Sequence, residues 1–425
     1  MIAFVSAKIS HVFTLLISGV FMLYVSFVCA NPAEEVYAKY NNSIVQVKIV
    51  EVNAESQSSL GTGFFIGDGA YLATNYHVVA SVAMEPEKYR IEVEYQGDKH
   101  LLQLLVVDVV NDLAVLRSSI EGEPLILAEK VPTKGSKLYS IGNPLDLGMT
   151  LVEGNYNGLV ADRFFDQIHF AGAINSGMSG GPTLSEAGEV VGINVASAGN
   201  QVGFLVPVKY LHTLLARAQA GDEKIAINQD IRRQIHEATT YMLDRLLDDE
   251  WPRENIGQAV AIGQVDPAVE CWGESHKDEE TKLNVISKGC KNRESVYISH
   301  EFQSGYIEYE FHYHEGEGWP SASIYRYMSL NAGNARPGNR ASKDFVGNYE
   351  CMEEVVKGDE AHLKAKVMYC VRPYLKFKGL YDVLYMAVSL DREQQSILSH
   401  YTLAGVSKKN ADRFLERFLT ELNWQ

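Results

Sequence analysis

From Ile44 onward the chain is built of short runs in which apolar and polar positions alternate. In residues 44–52, Val45, Val47 and Ile49 fall on one side and Gln46 and Lys48 on the other, the period-two signature of a half-buried strand. Similar runs follow at 63–66, 71–74, 89–95, 101–110, 113–116, 137–141, 150–159, 189–195 and 202–206, punctuated by Gly, Asn and Asp. Many short strands at this spacing predict an all-β barrel or sandwich. The pattern stops near Pro207. Residues 210–218 read as helix, and 230–247 as a second helix bridging two parts of the chain, with Ile231, Ile235, Ala238, Met242 and Leu246 at helical spacing. Beyond Trp251-Pro252 the strands become Tyr-rich. Residues 306–314 alternate, with Ile307, Tyr309, Phe311 and Tyr313 on one face and Glu308, Glu310, His312 and His314 on the other. That second face could hold a metal, but it reads as a solvated strand face and no metal site is assigned. Residues 408–422 form a last helix, with Ser407 as N-cap and Phe414, Leu415, Phe418 and Leu422 as its core stripe.

The ends of the chain and its cysteines add a compartment. Lys8 precedes a charge-free apolar run, 12–28, then Ala30 and Asn31-Pro32. This is the layout of a secretory signal cut after Ala30, with an uncleaved membrane anchor as the alternative. Without Cys29 four cysteines remain, Cys271, Cys290, Cys351 and Cys370. An even number in an exported chain predicts two disulfides. The equal gaps favour sequential pairing, Cys271–Cys290 and Cys351–Cys370. The repeated spacing, with a Glu before each first cysteine, is compatible with a duplicated unit. Across the 425 residues a net charge of −16 leaves no basic surplus for nucleic acid, and 46% hydrophobic content supports a packed globular chain.

Three separated segments carry chemistry: Gly61-Thr62-Gly63 with Thr74-Asn75-Tyr76-His77; Asn111-Asp112-Leu113-Ala114-Val115-Leu116; and Asn175-Ser176-Gly177-Met178-Ser179-Gly180-Gly181-Pro182. A serine nucleophile needs a base for its proton and a carboxylate to fix the base. It also needs donors for the oxyanion. His77, Asp112 and Ser179 are the candidates for the first three roles, with Asp108 the rival of Asp112. The backbone amides of Gly177 and Ser179 are candidates for the last. Gly180 and Gly181 are expected to let substrate backbone approach.

In this order, with Gly142-Asn143-Pro144 between the last two, the segments resemble the trypsin-like serine peptidases of the HtrA/Deg type over residues 44–208. The resemblance implies an all-β double β-barrel with the site in the cleft between the barrels. It also implies a pocket lined by Ala173, Val195 and Ala196 that selects small aliphatic residues, and no cofactor. Met178 stands where trypsin-type zymogens have an Asp that pairs with a new N-terminus, so no such activation is expected. HtrA-type relatives usually carry Asn there, and tend to have Asp where this chain has Ala171. No PDZ pattern is read after Leu211. The expected organisation is therefore a signal (1–30), a protease domain (31–220), a helical linker (221–254) and a smaller α+β, disulfide-bearing C-terminal domain (255–425). The expected function is an exported serine endopeptidase, periplasmic or extracellular, acting on proteins or peptides. The rival is a protease-fold sensor or chaperone-like binding protein with gated activity.

Overall fold

The structure is a computed structural model that describes residues 31–197, 199, 201–221, 226–333, 336–357 and 363–425. The expected signal or anchor at 1–30 lies outside the described residues.

Two closed six-stranded barrels come first. One is formed by β1 (Ile44–Glu51), β2 (Ser56–Ile66), β3 (Tyr71–Thr74), β4 (Tyr89–Tyr95), β5 (Asp98–Asp108) and β6 (Leu113–Arg117), ordered β1-β2-β3-β6-β5-β4. The other is formed by β7 (Lys137–Gly142), β8 (Thr150–Leu159), β9 (Ile168–Phe170), β10 (Pro182–Ser185), β11 (Val190–Ser197) and β12 (Gly203–Pro207), ordered β10-β11-β12-β9-β8-β7. The alternation read in β1 is real: Val47 and Ile49 are fully buried while Gln46 and Lys48 are not. The β4–β5 hairpin turns on Gln96 and Gly97, both at positive φ, as a two-residue turn matching strand twist requires. One apolar cluster joins the barrels, with Phe64, Ile66 and Val115 from the first meeting Tyr139, Ile141 and Ile193 from the second. Helix α1 (Pro32–Tyr40) docks on the second barrel, its Tyr37 hydroxyl donating to Met149 O at 3.1 Å.

Helix α2 (Tyr76–Met84) was not foreseen. Its segment is apolar almost throughout, because Tyr76, Val78, Val79, Ala80, Ala83 and Met84 are all buried, and a helix covered on most sides shows no 3.6-residue stripe. Helix α3 (Val208–Ala220) follows the second barrel and ends at Gly221, in the left-handed conformation that closes helices.

Helix α4 (Ile227–Leu247) is a shared wall between the two parts of the chain. Ile231 and Ile235 pack with Val79, Ala83, Val107 and Val109 of the first barrel. Met242, Leu243 and Leu246 pack into the C-terminal core. Gln234 bridges backbone on the barrel side, accepting from Val109 N and donating to Val107 O, both at 2.8 Å.

The C-terminal part is built on a seven-stranded antiparallel sheet: β15 (Val269–Asp278), β16 (Leu283–Asn292), β19 (Ile307–Gly316), β23 (Gln395–Val406), β22 (Tyr381–Ser389), β21 (Ala365–Pro373) and β20 (Glu350–Val356), in that spatial order. Short strands β13 (Arg253–Ile256), β14 (Ala259–Ile262) and β24 (Asn423–Trp424) form a separate small sheet, and β17 (Val296–Ser299) pairs with β18 (Phe302–Ser304). Ile307, Tyr309, Phe311 and Tyr313 are buried under helix α6 (Lys408–Leu419), where Phe311 stacks on Phe418 at 5.8 Å. Ser407 accepts from Asn410 N as the N-cap of α6. Disulfides join Cys271 to Cys290 and Cys351 to Cys370. Each pair sits directly opposite across a hairpin, β15–β16 and β20–β21. The two hairpins occupy opposite ends of the sheet, each linked by one further strand to the central β23.

The opposite face of β19 departs from expectation. It is only partly solvated: helix α5 (Ser321–Gly333) lies over one end of it, where His314 is 4% exposed, as is His400 from β23, while Glu308, Glu310 and His312 stay partly exposed. The covering helix was missed because its own apolar signal is weak, with only Ile324 and Met328 buried. Among the described residues no group of His, Cys, Asp or Glu is arranged to hold a metal ion.

Candidate active site

The site is assembled at the start of α2. The first turn of a helix has backbone N–H groups without helical acceptors. Here Asp112 supplies one: its Oδ1 accepts from His77 N at 2.8 Å, and its Oδ2 lies 2.6 Å from His77 Nδ1. An ionised carboxylate only accepts, so Nδ1 carries the proton and Nε2 keeps its lone pair. Asp112 is itself held at φ 55°, and its carbonyl accepts from Asn75 Nδ2 at 2.8 Å. The rival Asp108 faces elsewhere, accepting from Val110 N, Asn111 N and Asn111 Nδ2 as a turn-forming residue.

Burial pushes the His77 imidazole toward its neutral form. The Asp112 charge and hydrogen bond oppose that and win, so the ring titrates above the ordinary histidine value. Its side chain retains 31% exposure, enough for a substrate to reach Nε2.

Ser179 enters from the second barrel, on the turn before β10. Its hydroxyl donates to Val195 O at 3.0 Å; among the described contacts it makes no hydrogen bond to His77. A rotation about χ1 is the movement that would turn it toward the imidazole. Among the described residues, neither the Gly177 nor the Ser179 amide has an acceptor, as oxyanion donors require. Gly177 is at φ +94°, and a Cβ there would meet Asn143 O at 2.4 Å, so the turn admits only glycine.

Two residues that the sequence reading passed over hold this turn. Thr62 is fully buried; its hydroxyl donates to Gly177 O at 2.7 Å and accepts from Asn143 N at 3.1 Å, while its amide donates to Ser179 O at 2.8 Å. Asn194, also fully buried, donates through Nδ2 to Ile141 O and Met178 O and accepts through Oδ1 from Ser140 and Thr183. Thr62 lies in a quoted motif and Asn194 does not, and nothing in residue type alone reveals which groups they bond. Met178 is fully buried beside Phe170, Ile174 and Leu205, so this loop is fixed by apolar packing where an ion pair would otherwise act. Gly180 and Gly181 do not line an approach for substrate. A Cβ on Gly180 would meet Thr62 O at 2.3 Å and one on Gly181 would meet Ile141 O at 2.2 Å, so both are glycine for close packing.

A cleft of ≈ 430 Å³ opens beside these groups, with His77, Asn111 and Asp112 on one wall and Arg163, Phe165 and Val195 on another. Val195, expected in the primary pocket, is in it; Ala173 is half-buried but not among the lining residues. The side chain of Ala196 lies outside the described residues. A third wall, Arg293–Tyr297, comes from the C-terminal part.

Comparison with known proteins agrees with this arrangement. Residues 61–193 match the family described as trypsin-like peptidase domain. The double barrel is similar to the trypsin-like peptidase domain of HtrA-type serine proteases. A probable periplasmic serine endoprotease DegP-like of Chlamydia trachomatis is 31% identical over 153 residues, 34% of this chain and 30% of that relative. Serine protease HTRA3 of Homo sapiens is 26% identical over 222 residues, 49% of each chain. The match thus spans half or less of these relatives. The crystal structure of the serine endoprotease from Yersinia pestis is 25% identical, with a TM-score of 0.38, covering 44% of this chain and 66% of that one. The family match at residues 61–193 falls within the two barrels.

Proposed function

We propose that this chain is an exported serine endopeptidase that cuts protein substrates through Ser179, His77 and Asp112. The observation that carries the reading is the 2.6 Å contact of His77 Nδ1 with Asp112, in a cleft shared with the Ser179 acceptor Val195. Ser179 Oγ attacks the scissile carbonyl carbon as its proton passes to His77 Nε2, and the resulting oxyanion is met by the Gly177 and Ser179 amides. The C–N bond then breaks, His77 returns the proton to the leaving amine, and the acyl-serine is released by water activated at the same imidazole. No cofactor takes part in this sequence. Val195, with Ala173 and Ala196, provides no carboxylate for a basic side chain, which favours cutting after small aliphatic residues. Export to the periplasm or the extracellular space fits the N-terminal apolar run and the two disulfides.

The Ser179 hydroxyl's bond to Val195 O favours a second reading: a protease-fold binding or sensor protein whose nucleophile is at rest. A fluorophosphonate separates the two. Covalent labelling of the mature protein at Ser179, abolished in Ser179→Ala together with casein hydrolysis, is the outcome for the peptidase; an unlabelled wild type supports the binding protein.

A further inference from the structure

We propose that Tyr297, supplied by the C-terminal part of the chain, is a specificity-determining wall of the cleft, limiting the size of the substrate residue that lies beside His77. The proposal rests on the peptidase reading above and adds to it a part played by the C-terminal region.

The argument starts from strand β17. Its side chains alternate, so Val296 and Ile298 point one way and Tyr297 the other. Val296 and Ile298 are 2% and 0% exposed, packed with Val78, Val79 and Ala83 of the first barrel. Tyr297 packs against the edge of that cluster, and it also lines the cleft with His77 and Asp112. Its ring centre is 6.2 Å from that of His77 at an interplanar angle of 81°, edge to face, and 6.5 Å from that of Tyr76.

This wall is fixed. The Tyr76 hydroxyl, one residue before His77, donates to Ile298 O at 2.9 Å in a buried setting. Three residues before Tyr297, Glu294 pairs with Arg163 of the second barrel at 3.5 Å. The segment is thus fastened to one barrel through Ile298 and to the other through Glu294. Moving it would expose an apolar cluster and unpair a bond that is cut off from water.

The side of the substrate affected follows from the lining. The cleft includes Val195, whose carbonyl receives the Ser179 hydroxyl, but neither Gly177 nor Ser179. We place the acyl side of the substrate in it. The residue just before the one that is cut passes between Val195 and the Tyr297 ring. A rigid aromatic wall admits Ala or Ser there and excludes Phe or Leu.

The test uses the full mature chain and two peptide amides with Val at the cut position, preceded by Ala in one and by Phe in the other. The readout is the ratio of their kcat/KM values, from which any general loss of activity cancels. In Tyr297→Ala the Phe/Ala ratio should rise about tenfold or more. In Tyr297→Phe, which keeps the ring, it should stay within about twofold of wild type. Should Tyr297→Ala fail to fold, Tyr297→Leu retains apolar contact with Tyr76 and should raise the ratio by a smaller factor. A ratio unchanged in the Ala and Leu variants, in a protein whose wild type is labelled at Ser179, overturns the proposal alone. A wild type that neither takes the label nor cuts either peptide overturns the peptidase reading, and this inference with it.

Discussion

Met178 shows how one side chain can replace a charged device. It is completely buried among Phe170, Ile174 and Leu205, and Gly142 leaves room for it, since a Cβ there would come within 2.8 Å of Met178 Cα. A carboxylate in that place would be desolvated without a cation. Met178→Asp is expected to destabilise the protein by about 3–5 kcal/mol, read as a lower urea midpoint, and to slow phosphonate labelling as the Gly177 turn loosens. In the proposed mechanism His77 acts as the neutral imidazole, so kcat/KM should fall with decreasing pH through the His77 titration. Because Asp112 holds that titration above the ordinary value of 6.5, the midpoint of the acid limb should lie above 6.5. Asp112→Asn should move the limb to lower pH and reduce the plateau by about 10⁴-fold. A limb that stays in place in the variant would separate Asp112 from His77. Both residues were legible because their neighbours, Asn75-Tyr76 and Leu113-Ala114-Val115-Leu116, are distinctive. Thr62 and Asn194 were not, because their work depends on which carbonyls they meet.

At the level of elements, alternation located strands well where one face met solvent or a polar neighbour, as in β1, β4 and β19. It failed for α2, which is buried on most sides, and for the face of β19 under α5. There His314 and His400 stand beside His312, Glu310, Tyr327 and Arg336 around a cavity of ≈ 300 Å³. Burial lowers His314 and His400 to about 4 from 6.5. Between pH 6.5 and about 4 the unfolded chain takes up protons that these folded imidazoles refuse, so stability falls as pH falls through that window. The loss should be on the order of 3 kcal/mol for each imidazole, seen as a urea midpoint that declines with acidification and declines less in His400→Leu. The hairpin disulfides act on the unfolded state. Each closes a separation of 19 residues, so replacing Cys351 and Cys370 by Ser should cost about 3 kcal/mol. The effect should show as a lower melting temperature, with the sheet end at β20 exchanging its amide hydrogens fastest.

The molecule as a whole is more integrated than its sequence suggests. A helix read as a bridge, α4, is a packed wall for both parts: Ile231 and Ile235 complete the first barrel's outer cluster, and Gln234 satisfies Val107 O and Val109 N. Lys376 adds a distant tie, donating to Met84 O at 2.8 Å. A chain ending at Ala220 would leave Val79, Ala83, Val107 and Val109 uncovered and is expected to melt on the order of 10 °C below the full chain, with greater aggregation on heating. Equal melting temperatures would show that the barrels do not depend on this cover. Tyr297 and these contacts join the C-terminal part of the chain to the first barrel and the cleft.

Local chemistry along the chain was enough for the barrel strands, for choosing His77, Asp112 and Ser179 as candidates and for the pairing of the cysteines, because each follows from period, residue type or spacing. Packing settled the rest: that Asp112 and not Asp108 meets the imidazole, that Met178 is an anchor, that the histidine face is covered at one end, and that a tyrosine more than two hundred positions from His77 in the sequence stands at its side. Those outcomes depend on which surfaces exclude water from one another, and contacts between distant segments leave no trace in the local pattern that either segment carries.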